Sequence, residues 1–297
     1  MALTSPGVIK TTNEVLVKLA PEINIVKQFA YDISDTVADY GDKVRVALVT
    51  GGAAENFDPT DATKNYEHET GALSDVFVTL DTQPKSTIGI SQMEKLELPN
   101  DSFWTKSAEA GADTIAKAIS TKIGGAFTTT AVTGGSAVLA FDDTKSEAYN
   151  RKQIAALRAQ CAGRVADTVL LLNPENYATM LSLFSNNIYG DKDPVQDGYI
   201  EKLYGFKAVV CAYDLPTGVT GALVPSNGLA IAVRPVAIPD PAAYPEAGVV
   251  SDENGFSVSV LRHTAFATGK AYLNVTALVG VALTQPDKTK YLVASAS

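Results

Sequence analysis

The stretch DSFWTKSAEAGADTIAKAISTKIGGAF, residues 101–127, constrains the fold more than any other part of the chain. It predicts a long helix that Asp101 or Ser102 caps at its start and that Gly124-Gly125 ends. One face recurs at steps of three and four residues. That face comprises Trp104, Ala108, Gly111, Ala112, Ile115, Ala118, Ile119 and Lys122. Because this stripe is narrow and rich in alanine, we expect the helix to lie close against a sheet.

The residues before this helix predict an arm followed by a β-hairpin. Residues 1–43 mix small polar and apolar side chains and are expected to form an extended arm with one short helix. The stretches 43–50 (KVRVALVT) and 75–83 (DVFVTLDTQ) alternate apolar and polar residues as strands do. Residues 51–74 have little hydrophobic content, and a segment of that length is expected to be functional or mobile. The strands and this tip predict a protruding hairpin, and residues 86–100 continue as extended chain.

The part of the chain after the long helix mixes further helices and strands. The sequence GSAVLAFDD predicts a strand, and TKSEAYNRKQIAALRAQ predicts a second amphipathic helix. The apolar face of this second helix comprises Tyr149, Ile154, Leu157 and Cys161. The stretch FKAVVCAY predicts a buried strand, and VPSNGLAIAVRPVAIPDPAAYPEAG predicts one strand and then a proline-rich connection. Alternating runs at 256–266, 271–283 and 290–294 predict that the chain closes in β-structure, which places it in the α+β class.

A turn between a strand at 168–172 and a helix at 174–184 has the position at which many enzymes bind a phosphate. Here Asn173 is a good N-cap, Pro174 suits the first helical position, and Glu175 lies favourably near the positive end of the helix dipole. The turn contains no glycine-rich approach, no lysine and no nucleophile. We therefore predict a purely structural turn.

A search for catalytic and metal-binding patterns is negative. GxGxxG, the Walker-type phosphate loop and GxSxG are all absent. The two histidines, His68 and His263, are expected at the hairpin tip and within a strand. The two cysteines, Cys161 and Cys211, are expected on apolar faces and to be chemically inert. The acidic loop with Asp191, Asp193 and Asp197 does not match an EF-hand and is predicted to be solvated.

Composition and charge exclude two further classes. The formal net charge of −9 argues against a general nucleic-acid binder, which carries a basic patch or stripe. No apolar run approaches the roughly 20 residues that cross a bilayer. Charged residues make up only 19%, below the average of about 25%, which indicates a surface that is partly buried against copies of the chain.

The order of the parts resembles the major capsid protein of tailed bacteriophages, which has the Hong Kong 97-type capsid fold. The stretches that carry the resemblance are DVFVTLDTQPKSTIGISQMEKLELP leading into DSFWTKSAEAGADTIAKAIS, then LAFDDTKSEAYNRKQIAALRAQ, TVLLLNPENYATML and GFSVSVLRHTAFATGKAYLNVTALVGVAL. The resemblance covers nearly the whole chain and rests on the order of parts rather than on invariant residues. It implies four regions: an N-terminal arm (1–43), an extended β-hairpin loop (44–100), a peripheral domain with the spine helix (101–147 and 248–297) and an axial domain (148–247).

The resemblance also implies a function. The chain is expected to self-assemble, as pentamers and hexamers, into an icosahedral shell that encloses phage DNA without sequence-specific binding. No catalytic, cofactor or metal site and no membrane contact are expected. The implied location is the virion, after assembly in the cytoplasm of the host bacterium. Portal and decoration proteins are implied partners, and a scaffolding protein would be separate, because no charged, helix-rich scaffolding sequence precedes the arm.

Two alternatives remain open from the sequence. The first is an α/β enzyme whose site is assembled from scattered residues such as Asp142, Asp193 and His263, although the scarcity of histidine and motifs counts against it. The second is the shell of a cellular compartment with the same fold, enclosing cargo enzymes.

Overall fold

A computed structural model describes residues 15, 26, 28–33, 40–50, 56–61, 63, 72–91, 100–141, 145–161, 164–182, 199–201, 204–212, 214–236, 246–251, 256–265 and 268–294. Three α-helices have both ends within these residues: α1 (Asn100–Gly125), α2 (Glu147–Gln160) and α3 (Pro174–Ser182). A short 3-10 turn covers Val165–Asp167. The predicted acidic loop and the middle of the hairpin tip lie outside the described residues.

Fifteen strands lie in the described part of the chain. They are β1 (Ala30–Asp32), β2 (Lys43–Thr50), β3 (Ala72–Thr79), β4 (Lys85–Ser91), β5 (Ser136–Val138), β6 (Thr168–Leu172), β7 (Tyr199–Glu201), β8 (Ala208–Cys211), β9 (Gly221–Pro225), β10 (Leu229–Arg234), β11 (Glu246–Ser251), β12 (Ser257–Ala265), β13 (Lys270–Thr276), β14 (Leu278–Leu283) and β15 (Lys290–Val293). They form sheets with the orders β5-β15-β9-β6-β8-β7, β11-β12-β13-β4, β1-β10-β14 and β2-β3. The mixture of helices and sheets confirms the α+β class.

The long helix α1 lies on the four-stranded sheet, as the alanine-rich stripe predicts. It contacts β13 and β4, and Ala108 and Ala112 are completely buried in this layer. Gly111 is required there, because a Cβ atom at this position would lie 2.8 Å from Cγ2 of Val275. Small side chains therefore let the helix backbone approach the strands closely. The helix ends at Gly125, as predicted.

Three details of the predicted stripe on α1 are wrong. The helix already begins at Asn100, so Asp101 and Ser102 lie within its first turn rather than ahead of it. Ala118 is only half-buried, because it lies about 100° around the helix from the buried Ile119. Lys122 is likewise half-buried. The residues that complete the buried side of α1 are Ala116 and Ile123.

An aromatic cluster fastens the start of α1 to the sheet. Trp104 is 5% exposed, and its ring makes an edge-to-face contact with Phe103 at a centroid distance of 5.0 Å. The guanidinium of Arg262 on β12 lies 4.4 Å from the centre of the Trp104 ring. Such cation–π contacts contribute about 0.5–2 kcal/mol, depending on desolvation. The cluster therefore adds a specific polar contact to an otherwise apolar interface.

The predicted run at 271–283 is not one strand but two. Residues 270–276 pair with β12 and β4, whereas residues 278–283 pair with β10 in another sheet. The buried Ala277 separates them. Its N–H donates to the carbonyl of Pro84, where the neighbouring chain also passes from one sheet towards the next. The alternating pattern continues through this bend, so sequence periodicity alone does not reveal it.

The six-stranded sheet carries α2 and α3 on one face. Ile154, Leu157 and Met180 pack there with Leu170 and Leu172 of β6. The predicted apolar face of α2 is corrected at Tyr149, which is 36% exposed, because the neighbouring Asn150 occupies the buried position instead. The predicted single strand at 224–236 is two strands, β9 and β10, and β11 follows the proline-rich stretch, which is not described in full.

The turn before α3 has the predicted structural role. The side-chain oxygen of Asn173 accepts a hydrogen bond from the N–H of Asn176 at 3.0 Å, and its carbonyl accepts from the N–H of Tyr177 at 2.9 Å. Pro174 is the first helical residue. Helix capping thus explains this turn completely.

Part of the segment predicted as an arm lies in the core. Phe29 and Ala30 are buried, and β1 pairs in parallel with β10. Lys207 donates to the carbonyl of Gln28 at 2.8 Å, and Arg234 donates to the carbonyl of Ile33 at 3.1 Å. The cationic side chains therefore hold this segment through its backbone.

Substitutions at Ala112 and Ala110 test the packing of α1. Ala112→Leu should lower the free energy of unfolding by about 1–3 kcal/mol, because the buried site has no room for a larger side chain. Ala110→Leu is the matched control: the site is exposed, and the change should stay within about 0.5 kcal/mol. Both residues favour helix, so helix propensity does not separate them. Equal melting temperatures for the two variants, measured by calorimetry, would show that the helix packs differently.

Candidate functional site

The residues proposed for an enzyme site are not brought together in the described structure. His263 lies on β12, where its ring stacks on Tyr272 at a centroid distance of 5.4 Å. The amide nitrogen of Asn274 lies 3.3 Å from its Nδ1, and Thr87 donates to the amide oxygen of Asn274. This hydrogen-bonded chain crosses three strands of one sheet and explains His263 structurally. Asp142, Asp193 and His68 lie outside the described residues.

The two cysteines lie in separate parts of the central sheet region and form no disulfide. Cys161 directly follows α2, and its thiol donates to the carbonyl of Leu157 at 3.5 Å. Burial raises the pKa of the Cys161 thiol, which disfavours the nucleophilic thiolate. Cys211 is the last residue of β8 and is also half-buried. Neither environment is the electropositive one that activates a catalytic cysteine.

Cys161 should therefore react slowly with thiol reagents. At neutral pH the raised pKa leaves less thiolate than in a free cysteine, and burial restricts access. Treating the folded chain with iodoacetamide and following the Cys161 peptide by mass spectrometry should give alkylation slower than that of glutathione. The unfolded chain provides the control and should react at the rate of an ordinary thiol. Faster alkylation in the folded chain would indicate an activated cysteine.

Two further searches find nothing in the described part of the chain. No three His, Cys, Asp or Glu side chains there lie close enough to hold a metal ion. No described helix combines the length and the apolar character of a membrane span.

The hairpin of β2 and β3 has two chemically different faces. Opposite residues in the register, such as Val46 with Val76 and Ala47 with Asp75, point to the same side of the pair. One side is buried and includes Val46 and Val78, which pack with Leu80 against the β10–β14 sheet. At Gly280 of β14 a Cβ atom would lie 2.5 Å from the carbonyl oxygen of Thr79, so the layers touch. The root of the hairpin is thus fixed to the body.

The opposite side of the hairpin exposes an unusual amount of apolar surface. Val49 is 82% exposed, Leu73, its cross-strand partner, 68%, and Phe77 56%. Arg45 and Asp75 form an ion pair between them, with Nε and Oδ1 2.8 Å apart. Of the eight large hydrophobic residues exposed in the described parts of the chain, five lie between positions 40 and 79. We call this side, formed by Arg45, Val49, Leu73, Asp75 and Phe77, the outer hairpin face.

A cavity of about 710 Å³ opens beside α1 at the root of the hairpin. Its lining includes Thr82, Lys117, Ala118, Lys122, Ala126 and Val281. Nζ of Lys122 lies 2.8 Å from a carboxylate oxygen of Asp81. Partial burial by itself would raise the pKa of Asp81, but hydrogen bonds from Lys122 and Thr82 outweigh it and lower that pKa. The cavity is therefore mainly apolar, with lysine side chains at its edge.

The comparison with protein families identifies the class. A family model described as phage capsid protein matches residues 100–281, from the first residue of α1 almost to the end of β14. This is more than half of the chain, and the chain belongs to the phage capsid protein family. Its fold is the Hong Kong 97-type capsid fold, and its role is that of a major capsid structural subunit. A search of curated proteins finds no match.

Solved structures of particles share this fold at low sequence identity. The capsid of an empty GTA particle, computed with C5 symmetry, is 17% identical with a TM-score of 0.55, covering 92% of this chain and 90% of that chain. The capsid of Ralstonia phage GP4 is 11% identical with a TM-score of 0.55, covering 89% and 86%. A virus-like particle from Pyrococcus furiosus is 12% identical with a TM-score of 0.54, covering 96% and 98%. These similarities confirm the fold predicted from the order of parts.

Sequence analysis missed the surfaces on which such a subunit depends. The alternation in KVRVALVT and DVFVTLDTQ indicates strands, but each strand carries apolar residues at both phases of the alternation. Val44 and Val46 lie on one side and Val49 on the other. Apolar residues on both sides of a two-stranded hairpin are a signal of a second buried surface. The cavity beside α1 depends on three separate elements and leaves no local signal.

Proposed function

We propose that this chain is the repeating subunit of a closed, icosahedral phage shell, built from pentamers and hexamers around DNA. The observation that carries the proposal is the outer hairpin face. Val49, Leu73 and Phe77 form an apolar surface on a two-stranded layer, and soluble monomers rarely leave such surfaces in contact with water. A second copy of the chain that covers this face would remove it from water.

The low charge of the chain supports extensive contact between copies. With 19% charged residues and 46% hydrophobic residues, the chain has fewer charges to keep its surface solvated than an average protein. An acidic subunit is also suited to enclosing DNA without binding it tightly. The net charge of −9 gives little attraction to phosphates, so a packaged genome would stay free to leave.

The division into regions belongs to this proposal. Residues 1–43 form the arm, 44–100 the extended hairpin loop, 101–147 with 248–297 the peripheral domain, and 148–247 the axial domain. The arm begins to contact the core by Phe29, and the hairpin projects its outer face. Assembly takes place in the host cytoplasm, and a portal, decoration proteins and a separate scaffolding protein are the partners.

A compartment shell of the same fold is the second candidate. The likeness to the virus-like particle from Pyrococcus furiosus, which covers nearly all of both chains, supports the fold for either role. The family match favours the phage shell, because the matching model describes phage capsid proteins. DNA rather than enzyme cargo inside particles isolated from infected cells would decide for the phage shell.

Purified chain should assemble into large particles. We expect light scattering to detect them above a threshold concentration and electron microscopy to show closed shells of uniform diameter, because repeated contacts between identical subunits close on themselves. Co-expression with a candidate scaffolding protein provides a second condition for assembly. A chain that stays monomeric or dimeric in every condition would contradict the proposal.

Leu73→Glu should prevent assembly without unfolding the subunit. Leu73 is 68% exposed, so the folded subunit loses little, whereas a carboxylate in a buried contact costs several kcal/mol. Ala155→Glu on the exposed side of α2 is the matched control. Circular dichroism should give the same melting temperature for both variants, and sedimentation should show particles only for the control. Normal particles from Leu73→Glu would show that the outer hairpin face is not a contact.

A further inference from the structure

The cavity beside α1 has the shape and chemistry of a receptor for an aromatic side chain. Its volume of about 710 Å³ falls in the range of roughly 300–1,000 Å³ that holds drug-sized ligands. Ala118, Ala126 and Val281 provide apolar walls. Lys122 is held by Asp81, and Lys117 extends the exposed edge. A fitting ligand therefore presents an apolar group with a negative charge beside it.

The hairpin tip contains such a group. Phe57 is 52% exposed and is followed directly by Asp58. The carboxylate of Asp58 accepts hydrogen bonds from the N–H of Thr60 at 2.9 Å and from its hydroxyl at 2.8 Å. Asp61 makes the same two bonds with Thr63. Two successive turns of this kind hold the peptide next to Phe57 in a defined shape.

Charge at the tip complements the lysines of the cavity. Residues 51–71 contain five carboxylates and one lysine, a formal charge of −4. Hydrogen bonds from the backbone and hydroxyl of Thr60 lower the pKa of Asp58, so its carboxylate is ionised at neutral pH. Opposite charges at the edge of an apolar contact guide docking and select its register.

The knob and the cavity belong to opposite ends of the hairpin. The eight residues of β2 span about 24 Å, at about 3.4 Å per residue, between the root and the start of the tip. Thr82, which follows β3 at the root, lines the cavity, and Phe57 does not. A contact between different surfaces of successive copies is head-to-tail, and such contacts generate rings when the rotation closes.

We propose that Phe57 of one copy inserts into the cavity beside α1 of the next copy, with Asp58 and Asp61 facing Lys117. This inference rests on the proposed shell and assigns one of its contacts to named side chains. The occupant is a second copy, because the charge of the tip matches the cavity and a shell supplies many copies at fixed geometry. The contact is separate from the outer hairpin face, which lies on the strands.

Cross-linking between two variants tests the contact directly. A copy with Phe57→Cys is mixed with a copy carrying Ala118→Cys or Ala126→Cys, assembled and oxidised. Disulfide-linked dimers should form at least about tenfold more in the mixture than in either variant alone, because a disulfide requires Cβ atoms about 3.8 Å apart. The native Cys161 and Cys211 are present in all samples and set the background. Dimers with Leu73→Cys in place of Phe57→Cys, and none with Phe57→Cys, would place the outer hairpin face in the cavity and overturn the proposal.

A double-mutant cycle tests the charge contact. Asp58→Asn keeps an oxygen acceptor for Thr60 but removes the charge, and Lys117→Gln removes the opposite one. Each should raise the critical concentration for assembly several-fold, up to about tenfold, at low salt, and the double variant should be no worse than either single variant. Lys106→Gln, about 16 Å earlier on the same helix, is the control and should assemble normally. Independent, multiplying effects of the two variants would overturn the contact.

These experiments separate the two proposals. If wild-type chain forms shells but neither cross-links nor charge coupling are found, the knob-and-cavity contact is wrong and the shell stands. If wild-type chain forms no particles, the proposed shell itself fails.

Discussion

The close contact between α1 and the four-stranded sheet sets the positions of the other surfaces. Gly111 lies against Val275, and Ala108 and Ala112 fill the layer on either side of it, so the helix backbone runs directly over β13 and β4. Larger side chains would separate the layers and displace both strands. Since β4 follows the hairpin and β13 continues into β14, the same contact also places the root of the hairpin and the cavity beside α1.

The hairpin combines two requirements that conflict in a soluble monomer. One side must be apolar to hold Val46 and Val78 on the body, and the outer face must be apolar to bind another copy. In the free subunit the outer face therefore contacts water, with Arg45 and Asp75 as its ion pair. An exposed ion pair of this kind contributes about 0–1 kcal/mol and does not offset the exposure of Val49, Leu73 and Phe77. The energetic gain comes when a second copy covers the face.

Local patterns predicted the elements whose chemistry is local. The N-cap at Asn173, the end of α1 at Gly125 and the strand at residues 43–50 all follow from residue types within one or two turns of chain. The errors occur where a distant contact decides the outcome. Tyr149 is exposed because Asn150 faces the sheet, and residues 271–283 form two strands because Ala277 bonds to Pro84 far away in the chain. The hairpin tip and the acidic loop lie outside the described residues, so those expectations stay predictions.

The sequence by itself determined the fold class and the order of the parts, because helix and strand periodicity and the glycines that end them act over short distances. That order was sufficient to indicate the capsid fold, which the family match over residues 100–281 confirms. Only the tertiary structure decided which apolar residues are buried and which remain on the surface. Val46 and Val49 are the same residue type three positions apart on one strand, yet one lies in the core and the other is 82% exposed. The difference arises because the β10–β14 sheet covers one side of the hairpin and leaves the other side open.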